Sequence, residues 1–463
     1  MKFNIDKKIK QLLLVLVFIL PFNFAYILNF DNIQNFQFFS ESLKYSIYFF
    51  DILFVLIIVL WLYRKYQTKK LLNFLKFNGI LLAIIAYFIW NSVSISANTT
   101  SSIYVSGRLI EVMIFFLIFI DLIKTKKFFN QATYLIFISG AIQSTIAFLQ
   151  FVFQKSLGLK YLGESVLSSQ LLGVAKLEAH GEKFIRSYGT FPHPNVLGAF
   201  LLLSLMAGLY FISNNNFKIP FSLPVKLKKL KLTNKTQILS GKLHFFLGLI
   251  IILAGIISSF SRSIWLITFI LSLILTLRYS KYLLTKKSLF KSRFKYIVPI
   301  VIILATLIFG FHKFIPARLC PDDCQDQSAT LRTEYSNFCK KEVLRNNYWT
   351  GVGIGQFPII FKTLNPGDLP AYNIQPVHNL YLLAWSEIGL IGLILLALFI
   401  TKNFKAFKFS KKTELFSLLI IGFLLLGFFD HYFWSLPQGQ FILWLALALL
   451  ATSGKINGNT TFK

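Results

Sequence analysis

Arg186 and Arg262 stand at or near the ends of apolar stretches, as do His378 with Asn379 and Asp430 with His431, while Arg332 and Arg345 stand near the two ends of an amphipathic stretch. Two or three guanidinium forks at one level suit a diphosphate, whose oxygens arginine grips two at a time. A histidine among them, with an ordinary pKa of about 6.5, can take a proton from a hydroxyl. Arginines around a departing diphosphate stabilise charge where it develops, without calling on a metal. Each residue also has a plainer use. An arginine at a helix end snorkels or meets a lipid headgroup. His378 can cap a helix with its ring in water, and Asp430 can stay solvated or hold an arginine in place. Arg262 is the strongest case for chemistry, since it lies in the polar run Ser258-Ser-Phe-Ser-Arg-Ser with no acid near it in sequence.

These residues are positioned by twelve apolar spans, expected at 11–30, 44–63, 74–92, 104–123, 131–153, 193–213, 243–259, 262–280, 296–314, 379–401, 413–430 and 437–452. Each is close to the ~20 residues a helix needs to cross ~30 Å of hydrocarbon. With the N-terminus inside, the inner segments take most of the 48 Lys+Arg and few of the 18 Asp+Glu, so the formal +30 gathers on one face. That is the positive-inside pattern, and it turns the arginine and histidine set outward. The expected fold is therefore an all-α polytopic membrane protein of about 12 transmembrane helices, with both termini cytoplasmic. A large, partly helical outer loop at about 315–378 joins spans nine and ten. Within it Thr330–Asn346 carries apolar residues at the spacing of one amphipathic helix, while Gly351, Gly353, Gly355 and Asn365-Pro-Gly read as turns. A loop of this length is usually functional or disordered, and its pattern favours function. The turn at 258–263 puts polar backbone at membrane depth, which is tolerated only beside a cavity or under protein; it is a candidate cavity wall.

With 55% apolar residues and a mean hydropathy of +0.63, the chain is not a soluble domain. Its basic excess comes as short runs beside spans, such as Arg64-Lys65, Lys126-Lys127 and Lys411-Lys412. Orientation and anionic lipid account for them, so the bilayer is the expected partner and nucleic acid is not. The charged-then-apolar start resembles a signal peptide, but apolar sequence continues through Pro21 to Phe30 without a small-x-small cleavage site. It is kept as span one. Cys320, Cys324 and Cys339 all fall in the outer loop, where one disulfide and one leftover thiol are expected. They are too few for a zinc site, and the neighbouring Asp322, Asp323 and Asp326 read as a solvated loop before a calcium site. No cofactor is expected.

Four stretches resemble the O-antigen ligase and O-antigen polymerase family of bacterial membrane glycosyltransferases. They are Arg186-Ser-Tyr-Gly-Thr-Phe-Pro-His-Pro-Asn-Val-Leu-Gly, Phe260-Ser-Arg-Ser-Ile-Trp, Asn347-Tyr-Trp-Thr-Gly-Val-Gly-Ile-Gly-Gln-Phe, and His378-Asn-Leu-Tyr-Leu followed by Glu387-Ile-Gly-Leu-Ile-Gly. Tyr-Trp-Thr stands where Pro-Leu is common, and the Cys320–Cys324 insertion is not a family feature. The likeness covers 185–430, between an N-terminal membrane region at 1–184 and a last span with tail at 431–463.

The resemblance implies a GT-C-like enzyme that moves a glycan from undecaprenyl diphosphate to an acceptor hydroxyl, on the outer face of the inner membrane. The transfer would be inverting and metal-independent, and the acceptor a glycolipid, a glycan or a protein. Carried over, His378 is the general base, with Arg262 and Arg332 holding the diphosphate. Arg186, Asn195, Asn379, Asp430 and Arg345 are the supporting substrate-binding set. The motifs do not separate ligase from polymerase; ligase is the expectation. A twelve-span secondary transporter has the same gross plan, but the large outer loop and the lack of matching halves count against it. A flippase for the same substrate would have no need to gather a histidine with several arginines on one face.

Overall fold

An apolar run in lipid must satisfy its own backbone, and a helix does so within one segment. The computed structural model describes residues 5–27, 45–179, 181–213, 220–221, 234–284, 314, 327–365, 374–404 and 413–457. In chain order it places α1 (Ile5–Ile19), α2 (Phe49–Gln67), α3 (Leu71–Phe77), α4 (Gly79–Ser94), α5 (Thr99–Leu122), α6 (Lys126–Phe153), α7 (Pro194–Ser213), α8 (Asn234–Ser258) and α9 (Arg262–Leu284). Beyond these come α10 (Gln327–Phe338), α11 (Phe357–Leu364), α12 (Leu380–Phe404), α13 (Glu414–Leu426), α14 (Tyr432–Ser435) and α15 (Pro437–Asn457). Among the described residues, five helices, at Thr99–Leu122, Lys126–Phe153, Pro194–Ser213, Gly241–Ser258 and Leu380–Phe404, are long and apolar enough to cross a membrane. The chain is a polytopic helical membrane protein. Apart from Phe314, the span expected at 296–314 lies outside the described residues, as do Cys320 and Cys324 with their expected disulfide. Cys339 is a buried free thiol.

The first span differs from its expected limits. Instead of running to residue 30, α1 ends at Ile19, because Pro21 offers no N–H to continue the ladder and disfavours helix in the residue before it. The chain then forms β1 (Ala25–Ile27), antiparallel to β2 (Ser46–Tyr48), which leads directly into α2. A second hairpin, β3 (Lys176–Ala179) with β4 (Glu182–Ile185), lies in the loop before α7. Among the described residues, these two short pairs are the departure from an all-α chain.

Because lipid is as apolar as a leucine side chain, helices associate through close packing and polar contacts. A Cβ on Gly248 would sit 2.2 Å from the Phe137 ring, so α6 and α8 meet at a distance only glycine permits. Phe54, Phe115 and Phe441 pack edge to face between α2, α5 and α15. Arg108 pairs with Glu111 one turn on at 2.8 Å, and also reaches Asp51 of α2 at 2.7 Å, which bolts α2 to α5.

The large loop is locked into a membrane helix. Inside α12, Gly389 has φ 60° and breaks the helical ladder. The groups freed there find partners in the loop. Val352 N–H donates to Ser386 O, Gly353 N–H to Glu387 O, Leu390 N–H to Tyr348 O and Ile391 N–H to Trp349 O. Tyr87 of α4 donates to Ile388 O at 2.6 Å, and Asn91 donates to Thr350 O at 2.8 Å. A broken helix is tolerated in a bilayer when other protein groups take up its backbone. Here they come from the Tyr-Trp-Thr-Gly-Val-Gly run and from Tyr87 of α4.

Candidate functional site

Arg186 lies between β4 and α7, and glutamines one helical face apart on α6 set its position. Gln143 accepts from Thr190 N–H at 3.0 Å and donates to its hydroxyl at 2.8 Å. Gln150 accepts from Gly189 N–H at 2.8 Å and from Tyr188 N–H at 3.1 Å. The segment 186–190 is thus pinned to a membrane helix by buried amide groups, which carry a high cost when left unmet. Arg186 itself is 5% exposed. Its Nε donates to Ser259 O at 2.9 Å, and an Nη donates to Asn195 Oδ1 at 2.7 Å. Ser187 N–H donates to Ser258 O. The polar turn between α8 and α9 is therefore covered by protein through its backbone, the second of the two ways such a turn survives at membrane depth.

From Arg186 the network runs on across the molecule. Asn195 Nδ2 donates to Asp430 Oδ2 at 2.6 Å, and the other oxygen of Asp430 accepts the His431 N–H at 2.8 Å. Asn195 N–H donates to His193 Nδ1 at 3.2 Å. His431 meets His378 ring to ring, with centroids 4.8 Å apart and planes at 87°. The opposite neighbour of His378 is Tyr335 of α10, nearly parallel at 6.1 Å. Arg332, one turn earlier on α10, acts electrostatically on His193, His378, Asp430 and His431 together. Its Nε and the His378 Nδ1 are buried with no hydrogen-bond partner among the described residues.

The structure thus brings Arg186, Asn195, Arg332, His378 and Asp430 into one cluster. Arg262 heads α9, partly buried, three residues after the Ser259 carbonyl that Arg186 grips. Asn379 serves α12: its Oδ1 accepts from Tyr381 and Leu382 N–H, both at 3.0 Å, as a helix cap does. Arg345 is exposed just beyond the π-helical turn Cys339–Leu344. His193 was not among the expected site residues, and His431 was noted beside Asp430 without a role. His193 lies inside the quoted Phe-Pro-His-Pro-Asn segment and His431 follows Asp430, so both were visible in type but not in reach.

The histidines sit between helices, His193 one residue before α7, His378 two residues before α12 and His431 just before α14. Burial pushes the His378 pKa down, and the neighbouring His431 and Arg332 push the same way against Asp430. Burial likewise lowers His431 and His193. Burial alone would raise Asp430, but the surrounding histidines and Arg332 outweigh it and hold the carboxyl below its usual range. The cluster therefore holds a carboxylate, neutral imidazoles and buried guanidinium groups at neutral pH. Such a set can accept a proton and hold an anion.

By residue type, His378, Asp430 and His431 could also hold a metal ion, their donor atoms lying within 4.8 Å of one another. Both Asp430 oxygens already accept N–H groups, and Arg332 sets a positive charge against any cation placed there. Away from the cluster, an open groove of about 440 Å³ runs along α10 and α11 past Thr330, Asn337 and Phe361.

No curated protein matches the chain. A family model does match: residues 247–397 fit that of the O-antigen ligases, a segment containing Arg262, Arg332, Arg345, His378 and Asn379 but not Arg186, Asn195 or Asp430. The match runs from α8 through the loop interlocked with α12, and over that segment the chain is similar to the O-antigen ligase family.

Proposed function

We propose that this chain transfers a glycan from undecaprenyl diphosphate to an acceptor hydroxyl, on the outer face of the inner membrane, as a ligase. The single observation that carries this reading is the meeting of His378 with Arg332 and, through Asp430 and Asn195, with Arg186. In the proposed reaction His378 takes the acceptor hydroxyl proton as that oxygen attacks the anomeric carbon. The bond from that carbon to the diphosphate oxygen breaks, and the diphosphate leaves with the electron pair. Arg332 and Arg262 receive the growing negative charge, a role suited to arginine forks in a site screened from water. A single displacement of this kind inverts the anomeric centre and requires no metal. Arg186 and Asp430 support the site by holding each other through Asn195. Twelve spans with both termini inside would place these residues outward.

The test is the glycan of cells in which His378→Ala replaces the native residue, resolved by chain length and attachment. Long chains stranded on the carrier, with the variant inserted at native level, are the expected result. Only single repeat units on carrier or acceptor would make the chain the family's polymerase instead. Normal transfer by the variant would remove His378 as the base.

A further inference from the structure

The proposed base lacks the partner that usually orients one. In a serine-protease triad a carboxylate holds the base histidine through its second nitrogen. The His378 Nδ1 is buried with no hydrogen bond among the described residues, and both oxygens of the nearby Asp430 are engaged elsewhere. What touches the His378 ring instead is His431, edge to face at 4.8 Å.

His431 is itself held firmly. Its Nδ1 lies 2.6 Å from Ser435 Oγ, and that oxygen also lies 3.3 Å from the His431 carbonyl oxygen. A serine hydroxyl has one proton. Both contacts are satisfied together only when Ser435 donates to the carbonyl and the His431 Nδ1–H donates to Ser435. That tautomer leaves Nε2 of His431 as a bare acceptor. The backbone N–H of His431 is fixed by Asp430, and α14 is tied to α12 by Trp434 Nε1, which donates to Glu387 Oε2 at 2.7 Å.

We infer that His431 is a positioning residue for His378: the two rings form one proton-accepting pair, in which His431 sets the His378 ring and opposes its protonation before substrate arrives. The inference rests on the reading of His378 as base. Two imidazoles this close, facing Arg332 from α10 and flanked by His193, cannot both carry charge beside the single carboxylate of Asp430. The pair therefore takes up one proton, which is the proton that leaves the acceptor hydroxyl.

The test is the pH profile of transfer by the full chain in nanodiscs, from a polyprenyl-diphosphate-linked glycan to an acceptor, for the native protein, His431→Asn and Ser435→Ala. The acid limb should move upward by about one pH unit in His431→Asn, as expected when a like charge near a titrating group is removed. Ser435→Ala should move it the same way by less. Well below both limbs the His431→Asn variant should be about tenfold slower than the native protein, and at pH 8 the two rates should agree. A loss equal at every pH, or acid limbs unmoved in both variants, overturns the pairing. Should His431→Asn fail to fold, the direction of the Ser435→Ala limb decides alone. Native activity in His378→Ala would be a failure of the base itself, a result separate from any of these.

Discussion

At the scale of single residues, the cluster trades solvent for fixed partners, and its behaviour follows from which partners are charged. Burial is the leading cause of the lowered His378 pKa, with His431 and Arg332 adding to it. A lowered histidine pKa leaves the ring neutral, hence able to accept a proton, below the ordinary value of about 6.5. Transfer should then stay level from pH 8 to about 6.5 and fall only in more acid buffer. A limb at or above 6.5 in the native protein would contradict the environment described. Stability carries the same sign. The unfolded chain takes up histidine protons that the folded cluster refuses, so acidifying from pH 7.5 to 5.5 should lower the melting midpoint in detergent. His193→Asn should reduce that drop. Arg186 shows why shape matters beside charge. It reaches Ser259 O and Asn195 Oδ1 with different nitrogens of one planar fork, which the single ammonium of a lysine cannot reproduce. Losing one charged hydrogen bond costs about 1.5–3 kcal/mol. If that loss appears in the transition state, Arg186→Lys should slow transfer roughly ten- to hundredfold while leaving membrane insertion intact. Rates within a factor of two would make the pairing with Asn195 incidental.

At the scale of elements, helices that the apolar runs announce are joined by contacts that the runs do not. Gly389 sits in a stretch that reads as uninterrupted apolar helix, yet its φ of 60° opens the ladder to receive the loop. A Cβ there would lie 2.2 Å from Trp349 O. Gly389→Ala should cost roughly 1–3 kcal/mol in backbone strain, with the clash added to it, and lower the melting midpoint. An unchanged midpoint would mean that the interlock is not required for stability. Glu387, 2% exposed, accepts from Trp434 of α14 and from backbone N–H groups of Gly355 and Phe357, so one carboxylate ties loop, α12 and α14 together. The sequence made the arginines and histidines legible because charge at the end of an apolar span is conspicuous. It made α10 legible through the spacing of Leu331, Tyr335 and Phe338. Gln143 and Gln150 were not legible, since a glutamine inside a span can face a neighbour or a cavity and only the packing decides. The early end of α1 could have been read from Pro21, where continuing hydropathy outweighed the missing N–H. The reach of His193 and His431 into the cluster depends on how α7, α12 and α13 come together, which no local pattern encodes.

At the scale of the whole molecule, the site is assembled from segments far apart in the chain. The family match supplies Arg262, Arg332 and His378, while Arg186, Asn195 and Asp430 come from either side of it. Chemistry with a lipid-linked substrate further requires that this assembly lie at one membrane surface. The charge asymmetry gives that surface a side. In the proposed topology, with a formal net charge of +30, short basic loops would orient the chain, since Lys and Arg near span ends resist translocation. Lys126 opens α6, whose 28 residues extend about 42 Å at 1.5 Å per residue, enough to put its two ends on opposite sides of ~30 Å of hydrocarbon. Phe153, at the far end of α6, leads into the loop that carries Arg186. Lys340 lies on the same loop as Arg332, and both Lys126 and Lys340 are exposed. In a chain with Cys320 and Cys324 changed to Ser and Cys339 to Ala, Lys340→Cys should react with a membrane-impermeant maleimide in intact spheroplasts. Lys126→Cys should react only after the membrane is opened. The reverse pattern would place the arginine and histidine cluster in the cytoplasm, where an acceptor assembled outside could not meet it. Labelling of both in intact spheroplasts would mean that α6 does not cross, and the separation of basic from catalytic surface would fall with it.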